Sequence, residues 1–89
     1  MKVYLDARVG EVKAGVEARA PAIRITGHGS DIDGAMEALR VGAMAWCVGL
    51  LARGNLERVL TQHNLRWEED GDGIEIYLKI LEPTGAYEP

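Results

Sequence analysis

The sequence predicts an α+β fold: a small antiparallel or mixed sheet with one long and one short helix packed on one face, in the order β-β-β-α-α-β-β. Two observations predict it. Apolar residues alternate with polar ones in the first third of the chain and again near its end, which is the period of half-buried strands. Between these regions the apolar spacing changes to three and four residues, the period of a helix. Because 89 residues supply apolar surface for a single core only, we expect one domain over residues 1–81 and a flexible tail over residues 82–89.

Three strands are expected before residue 30. Residues 3–9 alternate and predict the first strand, and Gly10 is expected to turn the chain into a second strand. Pro21 should end that second strand, because proline cannot donate a ladder hydrogen bond. Residues 22–26 predict the third strand, which the Gly-His-Gly segment at 27–29 is expected to end as a loop.

A long helix is expected over residues 31–53. Ser30 or Asp31 can cap its start, and Gly54 can take the left-handed conformation that ends it. Its core-facing residues are spaced by four and three, and they are Ile32, Met36, Leu39, Ala43, Trp46 and Leu50.

A second, shorter helix and two further strands follow. Asn55 is expected to cap the short helix, which presents Leu56 and Leu60 to the core. The last two strands, at 65–68 and 74–80, flank an Asp-Gly-Asp-Gly segment at 70–73. Because glycine permits positive φ, this segment predicts that the two strands form a hairpin.

Charge and composition narrow the classes of partner. The formal net charge of −4 has the wrong sign for binding a phosphate backbone, so nucleic acid is disfavoured as a partner. The uncharged stretch at 41–52 is shorter than the roughly 20 residues that cross a bilayer, and no export signal is recognisable at the start, so no membrane is expected. The single cysteine, Cys47, lies in an apolar run and is expected to be a buried thiol in a reducing cytoplasm.

No residue pattern indicates catalysis, a cofactor or a metal. His28 and Ser30 lack an orienting acid in the sequence, and the Gly27–Ser30 loop lacks the glycine pattern and lysine of a phosphate site. The acidic residues at 68–75 do not have EF-hand spacing and indicate a solvated tip. We therefore expect no enzyme, with a loop enzyme as the weakest alternative.

A second stripe on the long helix consists of small residues and indicates close approach by another backbone. Two interpretations remain open: the short helix of the same chain packs there, or a helix from a second copy or a partner does. Since glycine inside a helix costs about 1 kcal/mol relative to alanine, the stripe needs an explanation. The candidate self-association residues are Ala38, Gly42, Ala45 and Gly49.

An acidic and aromatic surface is the candidate site for a protein partner. Tyr4 and Tyr77 fall on the outer faces of predicted strands, and Trp67 lies between charged neighbours, where aromatic side chains suit a contact surface. The candidate partner-binding residues are Tyr4, Trp67, Glu68, Glu69, Asp70, Asp72 and Tyr77.

The segment at 25–43 resembles the strand-to-helix junction of HicB-like antitoxin domains, in which a glycine and a capping hydroxyl residue precede an alanine-rich helix after a three-stranded meander. Gly29 and Ser30 occupy these places here. The Pro21-Ala22 pair departs from the proline-glycine-cysteine segment of that family, and no ribbon-helix-helix is expected after residue 81. The resemblance implies an oligomerising domain that binds a small basic protein, and it does not imply DNA binding.

The sequence thus predicts a non-catalytic protein-interaction module. We expect it to form a homodimer through its apolar central helix and to bind a protein partner through an acidic surface, as an inhibitor or antitoxin does. The alternative is a small structural or assembly subunit of a viral or bacterial complex, in which the same helix is the assembly surface.

Overall fold

The computed structural model describes residues 1–71 and 73–81, so Asp72 and the predicted tail at 82–89 lie outside the described residues. The elements are β1 (Lys2–Val12), β2 (Gly15–Ala20), β3 (Ile25–Gly29), α1 (Ile32–Ala52), α2 (Leu56–Gln62), β4 (Arg66–Glu68) and β5 (Glu75–Ile80). The α+β class and the order of strands and helices are confirmed.

The sheet is mixed. Strands β3, β2, β1 and β4 lie side by side in antiparallel pairs, and β5 pairs with β1 in parallel. Both helices lie on one face, where Val3, Leu5 and Ala7 of β1 are buried. The opposite face of the sheet carries the polar half of each alternating pattern, as expected for a sheet with one solvated face.

Two predicted turns and part of one predicted strand are wrong. Gly10 lies inside β1, which continues to Val12 and turns through residues 13–14 into β2. The Gly-His-Gly segment at 27–29 lies inside β3 and is not a loop. A chain reversal at 20–24 replaces the first half of the predicted third strand, and Arg24 adopts a left-handed conformation there, with φ of 57°.

The predicted hairpin between the last two strands is also wrong. Residues 2–4 of β1 pair with β4 and with β5 at once, so these two strands occupy opposite edges of β1. The connection from 69 to 74 therefore crosses the start of β1, where the amino group of Met1 donates to the carbonyl oxygens of Asp70 and Gly73. A polar segment that contains glycines is compatible with a longer connection between strands as well as with a tight turn, so the sequence did not distinguish the two.

Helix α1 packs very close to β3 because two glycines remove the side chains between them. A Cβ atom at Gly27 would lie 2.3 Å from the backbone nitrogen of Leu39, and one at Gly29 would lie 2.4 Å from that of Ala35. Neither glycine has positive φ, so their role is close approach and not turning.

The helix ends follow local rules. The carboxylate of Asp31 accepts a hydrogen bond of 2.7 Å from the backbone N–H of Gly34, so Asp31 caps α1. Gly54 (φ 71°) and Asn64 (φ 56°) end α1 and α2 in the paired hydrogen bonds of a Schellman motif. Asn55 does not cap α2 with its side chain, since its amide oxygen accepts from Arg58 instead.

The core forms between the sheet and one side of α1. Met36, Leu39 and Ala43 are buried as predicted, and Trp46 and Leu50 pack against the core while partly exposed. Ile32, by contrast, is 50% exposed, so the predicted core stripe does not hold at the first turn of the helix. Cys47, which the predicted stripe omitted, is fully buried.

Candidate functional site

The solvent side of α1 is apolar over its last three turns. Val41 is 61% exposed, Val48 50% and Leu51 54%, although all three are large hydrophobic residues. No charged residue occurs between 41 and 52. We call this surface the outer face of α1, and its residues are Val41, Ala45, Val48, Leu51 and Ala52.

The predicted stripe of small residues is divided between two environments. Ala38 and Gly42 are half-buried beside β3, and a Cβ atom at Gly42 would lie 2.9 Å from Cγ2 of Ile25. The element that covers this half is therefore β3 and not α2. Ala45 and Gly49 are exposed, and nothing lies within 4 Å of a Cβ atom built on Gly49. These two residues extend the outer face of α1 along its flank.

Helix α1 is long and apolar enough to cross a bilayer, judged by length and composition only. Its most apolar window has a mean hydropathy of 1.4, and 28% of that window is buried. Core helices of water-soluble proteins pass the same test. What distinguishes α1 is that one side packs on the sheet while the other side is both apolar and exposed.

The sheet face opposite the helices carries a stacked pair of tyrosines. The rings of Tyr4 and Tyr77 lie 5.3 Å apart, with the guanidinium of Arg66 4.5 Å from the Tyr4 ring and the ammonium of Lys2 5.8 Å from the Tyr77 ring. These are cation–π distances. We call this surface the open sheet face, and its side chains alternate with the buried ones along each strand.

Hydrogen bonds and ion pairs engage several polar groups of this region. The hydroxyl of Tyr77 donates to Glu75 at 2.8 Å, and this bond raises the pKa of Tyr77 above its usual range. The ammonium of Lys2 lies 3.2 Å from the carboxylate of Asp70, and the hydrogen bond between them raises the pKa of Lys2. At neutral pH the ammonium of Lys2 is therefore charged, and the hydroxyl of Tyr77 is protonated and neutral.

The candidate partner-binding residues do not form one surface. Tyr4 and Tyr77 lie on the open sheet face, whereas Trp67 pairs with Val3 and packs against the core on the other face. Glu68 forms an ion pair of 3.0 Å with Arg66. Glu69 and Asp70 are exposed in the connection that follows β4, and Asp72 lies outside the described residues.

In the Gly27–Ser30 segment, His28 has an acidic neighbour that the sequence did not reveal. The Nε2 atom of His28 lies 3.3 Å from a carboxylate oxygen of Glu17, because the two residues are cross-strand partners of β2 and β3. Both side chains are accessible to solvent. As the segment belongs to a strand that packs against α1, it does not form a cradle of backbone N–H groups for an anion.

The thiol of Cys47 is enclosed by the core, and this burial raises its pKa to about 11. It is therefore protonated at neutral pH and is a packing residue. Among residues 1–71 and 73–81, no three His, Cys, Asp or Glu side chains cluster in a way that could hold a metal ion.

The sequence analysis predicted an apolar assembly surface on α1, but neither of its two stripes included the exposed residues Val41, Val48 and Leu51. The absence of charge from 41 to 52 leaves no polar side on this part of the helix, and that signal applies to these three residues as well. No protein-family model, curated protein or solved structure matches the chain significantly. The resemblance to HicB-like domains stays a prediction.

Proposed function

We propose that this protein is a non-catalytic interaction module that self-associates through the outer face of α1. The observation that carries the proposal is the exposure of Val41, Val48 and Leu51 on one charge-free helix side. Soluble monomers rarely expose contiguous apolar patches, and such patches mark interaction sites.

A second copy of this chain fits the outer face better than a charged partner does. The face offers no charge to complement, and its small residues, Ala45 and Gly49, allow another helix to approach closely. In a two-fold dimer both copies use the same patch, so each half-exposed side chain of the outer face is buried twice, once in each copy.

Charge at the helix ends favours an antiparallel pair. Asp31 and Asp33 lie at the start of α1, whereas Arg53 and Arg58 follow its end. Glu37 is already paired with Arg40 within the helix. An antiparallel arrangement places the acidic end of one helix near the basic end of the other, and it aligns the two helix dipoles favourably. A parallel pair would bring like charges together.

A separate protein partner, bound in the manner of an inhibitor or antitoxin in the cytoplasm, remains part of the proposal. The exposed acidic residues Glu69 and Asp70 support a basic partner, although Asp70 already forms an ion pair of 3.2 Å with Lys2. High salt should release such a partner while leaving the apolar self-association intact.

The decisive experiment is the molar mass of the purified protein, measured by sedimentation and light scattering over a wide concentration range. The wild type should form a dimer, and Val48→Glu should be monomeric because it places a charge in the centre of the outer face. Gln62→Glu adds the same charge on the exposed side of α2 and should remain dimeric. Gly42→Leu is unsuitable, since its side chain would collide with Ile25 inside one molecule.

Each outcome is informative. A wild type that is monomeric throughout, or a folded Val48→Glu variant that keeps the dimer mass, would contradict the proposal. An assembly that grows beyond a dimer through the same face would favour the structural-subunit alternative. If the monomeric wild type floats with phosphatidylcholine vesicles and Val48→Glu does not, the face binds lipid and self-association is wrong.

A further inference from the structure

Charges on the open sheet face are balanced across neighbouring strands except in one row. Lys2 lies between Glu68 and Glu75, and Asp6 lies opposite Lys79. Opposite charges in such cross-strand positions stabilise a sheet, and like charges destabilise it.

The exception is the row formed by Arg8 and Arg19, which are direct partners in the pairing of β1 with β2. Thr26 continues this row on β3 as the partner of Arg19. Two guanidinium groups therefore stand side by side in a protein whose net charge is negative.

A third arginine joins them at a surface pocket of about 400 Å³, which is lined by Arg8, Arg19, Arg24 and Thr26 together with neighbouring residues of β2 and β3. Arg24 reaches the pocket from the chain reversal after β2, where its backbone is left-handed. Such a conformation is unfavourable for a residue with a long side chain. We call this site the arginine pocket.

The carboxylates near the pocket do not neutralise it. Glu17 lies 3.6 Å from the Nε atom of Arg19, but it is shared with His28. In the described part of the chain, neither Arg8 nor Arg24 has an ion-pair partner. Among the residues that line the arginine pocket, three are cations and none is a carboxylate.

We propose that the arginine pocket binds the dianionic phosphate group of a phosphate monoester. Guanidinium groups donate paired hydrogen bonds in a fork that matches phosphate oxygens, and Thr26 adds a hydroxyl donor. A phosphate monoester offers a charge near −2 and three acceptor oxygens to this set of donors, whereas a carboxylate offers one charge and two oxygens. The chain-wide negative charge opposes a long polyanion, which favours a single phosphate group over a nucleic acid strand.

Phosphate binding at the arginine pocket is independent of the proposed self-association. The arginine pocket lies on the open sheet face and at its edge, and the outer face of α1 lies on the other side of the molecule. Loss of one activity can therefore be distinguished from loss of the other.

The test is a titration of the whole protein with inorganic phosphate at constant ionic strength, in which binding is measured from the NMR chemical shifts of the backbone amides. We expect saturable shifts around residues 8, 19 and 24, and the double variant Arg8→Gln/Arg19→Gln should bind at least about tenfold more weakly. Arg53→Gln/Arg58→Gln removes the same two charges after the end of α1 and should bind phosphate as the wild type does. Thermal unfolding of each variant establishes that it is folded.

Further probes decide the chemical class and its source. Acetate at the same ionic strength should cause no comparable shifts; equal binding of acetate would overturn the phosphate assignment. A phosphoserine peptide and adenosine monophosphate should both compete with inorganic phosphate for the arginine pocket. The compound that binds more tightly identifies whether the phosphate group belongs to a protein or to a nucleotide. Binding of an oligouridylate more tightly than either monoester, or an Arg8→Gln/Arg19→Gln variant that binds phosphate unchanged, would refute the proposal.

Discussion

The close approach of α1 to β3 makes Gly27→Ala a sharp test of the fold. The added Cβ atom would lie 2.3 Å from the backbone nitrogen of Leu39 and 2.6 Å from the carbonyl oxygen of Ala35, whereas ordinary contact begins at 3.4 Å. Because both neighbours are backbone atoms of a helix, neither can rotate away. The helix must move away by about 1 Å, and each packing contact that this movement opens loses a quarter to a half of its van der Waals attraction.

We therefore expect Gly27→Ala to lower the free energy of unfolding by about 2–3 kcal/mol, the upper range for overpacking. For a domain of this size, that loss corresponds to a fall in the unfolding midpoint of roughly 10–20 °C. The assay is thermal and urea unfolding followed by circular dichroism.

Gly10→Ala is the matched control. Gly10 also lies inside a strand, but nothing lies within 4 Å of a Cβ atom built there. Alanine at this position should be neutral or stabilise by up to about 1 kcal/mol, through its lower chain entropy when unfolded. If Gly27→Ala unfolds at the same temperature as Gly10→Ala, the close packing of helix on strand is refuted.

Two further predictions concern α1. Burial raises the pKa of Cys47 from 9.0 to about 11, so unfolding releases a proton between these values and the wild type loses stability as pH rises through them. Stability that is fully present below pH 9 should fall by about 2 kcal/mol relative to Cys47→Ala by pH 11, measured by urea unfolding; parallel pH profiles would contradict this. Asp31→Ala should cost about 1 kcal/mol because the N-cap bond to Gly34 is lost, whereas Ser30→Ala should cost little; equal losses in thermal unfolding would show that Asp31 is not the cap.

The candidate site on α1 could be predicted from the sequence only in part. The sequence showed that α1 is apolar on too many sides, but it did not show that β3 covers Ala38 and Gly42 while Val41 and Val48 stay exposed. Which side of a helix meets the sheet depends on the exact place where strand and helix cross. That crossing is fixed by Gly27 and Gly29, whose role in the sequence was indistinguishable from that of turn glycines.

The arginine pocket has the same origin. Arg8, Arg19 and Arg24 are separated along the chain by residues of both charge signs, among them Glu11 and Lys13, and their spacing carries no motif. They share one pocket because Arg8 and Arg19 are in register and the reversal after β2 returns Arg24 to the same place.

The sequence by itself determined the α+β class, the order of elements, the half-buried alternation of β1 and the left-handed stop at Gly54, because each depends on side-chain periodicity or backbone conformation within a few residues. Only the tertiary structure decided that β4 and β5 lie on opposite edges of β1, and that apolar residues of α1 face water. Pairing register and helix placement depend on contacts between residues far apart in the chain, and those contacts leave no local signal.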